Sequence, residues 1–165
     1  MKTAVCGLTV VVLSLVGVFA LSADEEKVPL DKVPKAVIDA VKKRFPNAEM
    51  TGAEKETEDG KTNYEIAIKD NGTKIDVEVT ADGVITEIEK TMNVSDLTKA
   101  VTETLNGKYP GSTLKKAEQI FKVAEGKETL EHYEVVLVTP DKKKFEVCVS
   151  PEGKIVKEEE KKSKD

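Results

Sequence analysis

The sequence predicts an α+β fold made of two tandem repeats. Each repeat is one helix packed on an antiparallel meander sheet of three to four strands. Three observations carry this expectation. Apolar and turn residues recur in the same order in the two halves of the chain. Each half begins with an apolar stripe at helical spacing. Each stripe is followed by period-two alternation broken at Asn-Gly, Asp-Gly and Glu-Gly turns.

The self-similarity comes first, because a missed repeat misreads the whole fold. Val33-Pro34-Lys35-Ala36-Val37 lies over Leu97-Thr98-Lys99-Ala100-Val101, and Phe45-Pro46 over Tyr109-Pro110. An insertion near Phe121–Leu130 then lengthens the second copy. Beyond it Tyr64-Glu65-Ile66 falls on Tyr133-Glu134-Val135. Val77, Val79, Gly83 and Ile85 fall on Val147, Val149, Gly153 and Ile155. The expected units are residues 28–91 and 92–158. Residues 159–165 are almost all Lys, Glu and Asp, and are expected to be a disordered charged tail.

Val33, Ala36, Val37, Ala40 and Val41 place one apolar face on a helix that Pro46 ends. Leu97, Ala100, Val101, Thr104 and Leu105 do the same in the second half. There Ser95 is the expected N-cap and Asn106-Gly107 the expected stop. The first meander reads as a weaker strand near Met50–Glu56, then Tyr64–Lys69, Ile75–Thr80 and Val84–Glu89. Asp70-Asn71-Gly72 and Ala81-Asp82-Gly83 supply the turns. Tyr133–Thr139, Lys144–Ser150 and Lys154–Glu158 repeat the pattern.

Residues 1–23 differ from the rest. One cation, an uncharged Val- and Leu-rich run from Ala4 to Leu21, and Ala20-Leu21-Ser22-Ala23 make the three parts of a secretory signal peptide. Both Ala20 and Ala23 fit the cleavage site. A run of this length also comes near to spanning a bilayer as a retained anchor. Cleavage leaves a periplasmic or secreted chain with no stable membrane insertion, and Cys148 as its one thiol.

The composition sets aside several function classes. The chain has 165 residues, 26 Lys and Arg against 31 Asp and Glu, and a formal net charge of −5. Nucleic-acid binders carry a basic footprint instead. With one His and two Cys the chain has few ligands for a zinc or iron site, and no metal or other cofactor is expected. His132 stands alone, and the acids in the turns lack calcium-loop spacing. No catalytic set is evident, so the expected class is not an enzyme.

Alternation assigns the candidate surface. Tyr64 and Tyr133 fall on the core side with Ile66 and Val135. The other face carries Glu65, Asp76 and Glu78 in the first half, an ordinary solvated set. In the second half it carries Val136, Val138 and Cys148, flanked by Glu134 and Glu146. An uncovered apolar cluster marks a contact surface. These five residues are the candidate partner-binding patch.

The same stretches carry a resemblance. Val33-Pro34-Lys35-Ala36-Val37 with Arg44-Phe45-Pro46-Asn47-Ala48, Asp59-Gly60-Lys61 leading to Tyr64-Glu65-Ile66, and Thr80-Ala81-Asp82-Gly83 resemble PepSY-like domains of the beta-lactamase-inhibitor-like kind. Lys99-Ala100-Val101, Tyr109-Pro110-Gly111, Tyr133-Glu134-Val135 and Pro151-Glu152-Gly153 repeat the outline, so the resemblance covers roughly residues 28–157. It implies an exported protein whose two repeats pair into one extended sheet that docks on an enzyme, or that restrains a peptidase. The inhibitors' aromatic-rich face has no Trp to match it here. The expected function is a non-enzymatic binding protein that inhibits or restrains an envelope protein through its sheet face. The alternative is a carrier of a small ligand or lipid, held between helix and sheet or between the repeats.

Overall fold

The computed structural model describes residues 26–58 and 60–161. The expected signal segment at 1–23, and the expected tail beyond Lys161, lie outside the described residues. Nine strands and two helices form an α+β structure. In chain order they are β1 (Glu26–Lys27), α1 (Lys35–Arg44), β2 (Glu49–Glu58), β3 (Lys61–Asp70), β4 (Thr73–Thr80), β5 (Ile85–Met92), α2 (Lys99–Lys108), β6 (Thr113–Ala124), β7 (Lys127–Val138), β8 (Lys144–Val149) and β9 (Ile155–Lys161). Every strand pairs antiparallel with its sequence neighbour, giving one open nine-stranded sheet in the order β1 to β9. The halves join through β5 and β6, from Glu87 opposite Lys122 to Met92 opposite Ala117.

Both helices lie on one side of this sheet. Val37 and Val41 of α1 are buried with Ile66, Ile68, Val77, Val79 and Ile88. Val101 and Leu105 of α2 are buried with Tyr133, Val135, Leu137, Val147 and Val149. Each such side chain stabilises the fold by about 1.5–3 kcal/mol relative to leaving it in water. Tyr133 is buried in the second core and Tyr64 packs at the edge of the first.

The turns between strands follow local chemistry. Asn71 and Gly72 both have positive φ, 47° and 85°, as a two-residue hairpin turn requires. Gly83 and Gly153 have φ of 90° and 88°. A Cβ at either would sit 2.8 Å from the carbonyl oxygen of Ala36 or Ala100. These two glycines therefore set how closely each helix lies on its sheet.

Several element ends differ from expectation, and four of them have a local cause. Ser95 does not cap α2; it lies in a 3-10 turn, Val94–Asp96, and the Thr98 side chain accepts from the Val101 N–H at 3.4 Å. The intervening Leu97 and Thr98 are extended, which delays the helix. Asn106-Gly107 does not stop it either. The helix runs on to Lys108 and ends before Pro110, as α1 ends before Pro46. The third strand of the first meander runs past Glu89 to Met92, because β6 pairs along its outer edge. The second unit does not end at Glu158. β9 continues to Lys161, whose ammonium reaches Glu146 at 3.1 Å and Glu159 at 3.2 Å. Those contacts pull the start of the charged tail into the sheet.

Candidate functional site

The sheet's second face carries no helix among the described residues. Its side chains follow from the registers, because directly opposed residues share a face. Across β2 to β5 the opposed residues are Glu54, Glu65, Glu78 and Glu87, with Lys122 of β6 next in line. The adjacent row holds Asp76 and Glu89, followed by Ile120 and His132. The row after that holds Thr91, Glu118, Glu134, Cys148 and Lys157. Like charges placed directly opposite each other are unfavourable, so a ladder of carboxylates needs compensation.

Part of that compensation is cationic. Lys122 meets Glu87 at 2.5 Å, and Lys116 meets Glu118 at 2.6 Å. Glu118 is only 2% exposed and also accepts from the Thr91 hydroxyl at 3.2 Å. Asn63 donates to Glu78 at 2.7 Å. The other acids hold their protons more tightly than usual. Burial pushes the Glu89 carboxyl up to about 8, and the Glu118, Glu65, Glu87 and Glu134 charges push the same way. Burial and Glu118 also raise Asp76, and burial with Glu87 raises Glu78. The Lys116 ammonium is lowered by burial, but its bond to Glu118 and the nearby acids outweigh this and raise it.

The carboxylate oxygens of Asp76, Glu89 and Glu118 lie within 4.8 Å of one another. Oxygen-only sets of this kind suit hard cations, but Glu118 is already held by Lys116 and Thr91. Nearby, Glu54, Glu65, Glu78 and Glu87 line a small depression of about 150 Å³. The centre of this face is thus a half-buried acidic field, suited to meet positive charge or to hold a proton near neutral pH.

The five candidate residues are neighbours on this same face. Glu134 is opposite Cys148, and Val136 is opposite Glu146. The apolar members offer little surface, however. Val136 is 9% exposed and Cys148 5%. Val138, Glu134 and Glu146 are half-buried. Burial pushes the Cys148 thiol up to about 11, which keeps it a thiol and not a reactive thiolate. Burial also raises Glu134, with Glu146 and Glu118 adding to it.

The residues missed from the sequence are Glu87, Glu89 and Glu118. Alternation alone places Glu65, Asp76 and Glu78 on the open face. Glu87 and Glu89 come beside them through the pairing of β4 with β5; bringing Glu118 there requires β5 to pair with β6, and nothing local in the sequence signals that second pairing.

Comparison with known proteins now adds to this geometry. A family model described as beta-lactamase-inhibitor-like, PepSY-like matches residues 21–87 and again residues 70–157. No curated protein matches the chain. Among solved structures, a protein named as periplasmic from Bacteroides eggerthii has a TM-score of 0.63 at 16% identity, covering 78% of this chain and 88% of that one. A BLIP-like protein from Bacteroides fragilis has a TM-score of 0.59 at 21% identity, covering 84% and 91%. A protein from Bacteroides uniformis has a TM-score of 0.62 at 16% identity, covering 77% and 88%. At these identities the likeness to the solved structures is one of fold.

Proposed function

The chain belongs to the PepSY-like, beta-lactamase-inhibitor-like family, and from that premise we propose an exported, non-enzymatic binding protein that takes its partner on the open face of the sheet. The observation that carries this reading is the face itself. Both helices cover one side, and the other side runs across nine hydrogen-bonded strands with no helix packed on it among the described residues. A sheet face of that width is a rigid platform, which favours binding by pre-organisation. A tandem duplication agrees with the two matched segments and with the order helix-then-four-strands occurring twice.

The partner is a protein of the periplasm or envelope, restrained by the contact, and an envelope peptidase is the working example. Export is supported by the tripartite segment at 1–23 and by a fold neighbour named as periplasmic. No helix among the described residues is long and apolar enough to cross a membrane. Charge complementarity assigns the partner a basic contact surface, because the centre of the face is acidic. The candidate patch at Val136, Val138, Cys148, Glu134 and Glu146 forms the C-terminal end of the same platform.

Affinity capture from an envelope extract tests this reading. The wild-type chain is expected to retain a specific protein that a Glu54→Lys, Glu65→Lys variant releases. A Val136→Glu, Val138→Glu variant tests the C-terminal end separately. Equal capture by all three proteins would remove the open face from the binding reaction.

A further inference from the structure

The insertion near Phe121–Leu130 has a structural outcome that the open face does not use. It lengthens one hairpin. β6 and β7 have 12 residues each, whereas β2 and β3 have 10 each. The extra length carries the hairpin over the first half on the helix side. Phe121 and Val123 pack against the first core, although they belong to the second half. Glu128 on the returning strand is bonded to Arg44 of α1 and to Lys90 of β5, at 3.0 Å from the latter. The Lys90 ammonium also lies 4.5 Å from the Phe121 ring centroid.

Between this hairpin and α1 lies a groove of about 510 Å³, within the roughly 300–1,000 Å³ of small-molecule sites. Val84, Ile85, Ile88 and Val123 supply its apolar lining, with Ile88 fully buried beneath. Val84 is 55% exposed, a rare state for a large aliphatic side chain in this structure. Its counterpart in the second half is Lys154, in Gly153-Lys154-Ile155 against Gly83-Val84-Ile85.

The charged groups at the groove are Lys43 and Arg44 from the last turn of α1 and Glu125 from the hairpin tip. Arg44 is held by Glu128. Lys43 is exposed and makes no ion pair among the described residues, so one ammonium is free to bind. We propose that this groove is a binding site for a single-chain amphiphile with an anionic head, its chain on Val84, Ile85 and Val123 and its head at Lys43. The Arg44 and Lys90 bonds to Glu128 hold the hairpin wall in place around it. The site is independent of the open face, because it lies on the opposite side of the sheet.

Titration calorimetry of the exported chain with dodecanoate, below its micelle concentration, tests the proposal. One equivalent is expected to bind. Val84→Glu, at an exposed position, and Val123→Glu, at a half-buried one against the first core, are each expected to weaken it by roughly tenfold or more, by placing a carboxylate in the chain's path. Lys43→Glu is expected to weaken dodecanoate several-fold while leaving the neutral alcohol of the same length unchanged. All variants should keep the wild-type circular dichroism, and partner capture through the open face should persist in Val84→Glu. No saturable dodecanoate binding, or binding that survives both chain-path variants, would overturn the site. Equal binding of acid and alcohol, with Lys43→Glu silent, would overturn the assignment of an anionic head.

Discussion

The two halves share a core plan and differ at their surfaces. In each, one helix lies on the same four strands, tied down by a glycine whose left-handed conformation admits an approach that a Cβ would block. Val41 and Leu105, and Phe45-Pro46 and Tyr109-Pro110, do the same work in each half. The open face is where they part. From β2 to β5 it is a field of carboxylates, but on β7 and β8 it is a closed patch of Val136 and Cys148 bordered by acids. The longer hairpin of the second half covers ground the first half leaves bare. Burial demands hold the helix side alike in both halves, and they leave the outward faces free to carry different chemistry.

The strongest way to break the comparison is to damage one core and ask whether the other notices. Leu105 is fully buried in the second core, and Leu105→Ala is expected to cost about 2–5 kcal/mol. Because the strands form one sheet through β5 and β6, the loss should move a single unfolding transition. Two separate calorimetric transitions, with only one displaced, would make the halves independent domains. Gly153→Val attacks the same half through the backbone. Its φ of 88° and the 2.8 Å approach to the Ala100 oxygen predict a loss of about 2–3 kcal/mol.

The next effect separates the two ends of the open face by pH. The Glu89 carboxyl stands at about 8 in the folded chain against an ordinary 4.5. The folded state therefore holds a proton that the unfolded state gives up first. Stability falls as the pH rises from about 4.5 to about 8, and below that window the penalty is absent. Glu89→Gln should remove the decline and gain about 1–2 kcal/mol at pH 8, a range that allows for solvent screening of a part-exposed group. Glu146→Gln at the other end breaks an ion pair with Lys161 instead and should bring no such gain. Urea unfolding at pH 4.5 and pH 8 reads the difference. Equal pH dependence in wild type and Glu89→Gln would show that the acidic field is fully hydrated.

Much of this architecture was legible from local patterns, and what escaped was long-range. The apolar stripe of Val37 and Val41, the alternation of Ile66, Ile68, Val77 and Val79, and the turn at Asn71-Gly72 all report on chemistry within a few residues. The helix ends were harder. Ser95 and Thr98 are both competent caps, and the choice fell to the extended Leu97-Thr98 link before the helix. The candidate site was legible only in part. Alternation places Glu134, Val136 and Cys148 together on one face, but it does not report how deeply neighbouring side chains bury them. Glu89 and Glu118 meet only because the two halves pair edge to edge.

The smallest effect concerns the seam itself. Glu128 is the one carboxylate, among the described residues, that ties a helix of the first half to a hairpin of the second. Burial works to raise its pKa, but its bonds to Lys90 and Arg44 outweigh burial and hold it below the ordinary value. Its contribution is therefore present above the unfolded carboxyl range and is lost as the pH falls through the folded value. Arg44 is half exposed, so Glu128→Gln is expected to cost only about 0.5–1 kcal/mol at pH 7. The seam should loosen more than the fold weakens. Backbone amides of the 122–129 hairpin are expected to exchange faster in Glu128→Gln, while those of β7 and β8 near Val135 and Val147 stay as protected as in wild type. Unchanged exchange in the hairpin would mean that Phe121 and Val123 alone hold it to the first half, and that the ion pairs only decorate the contact.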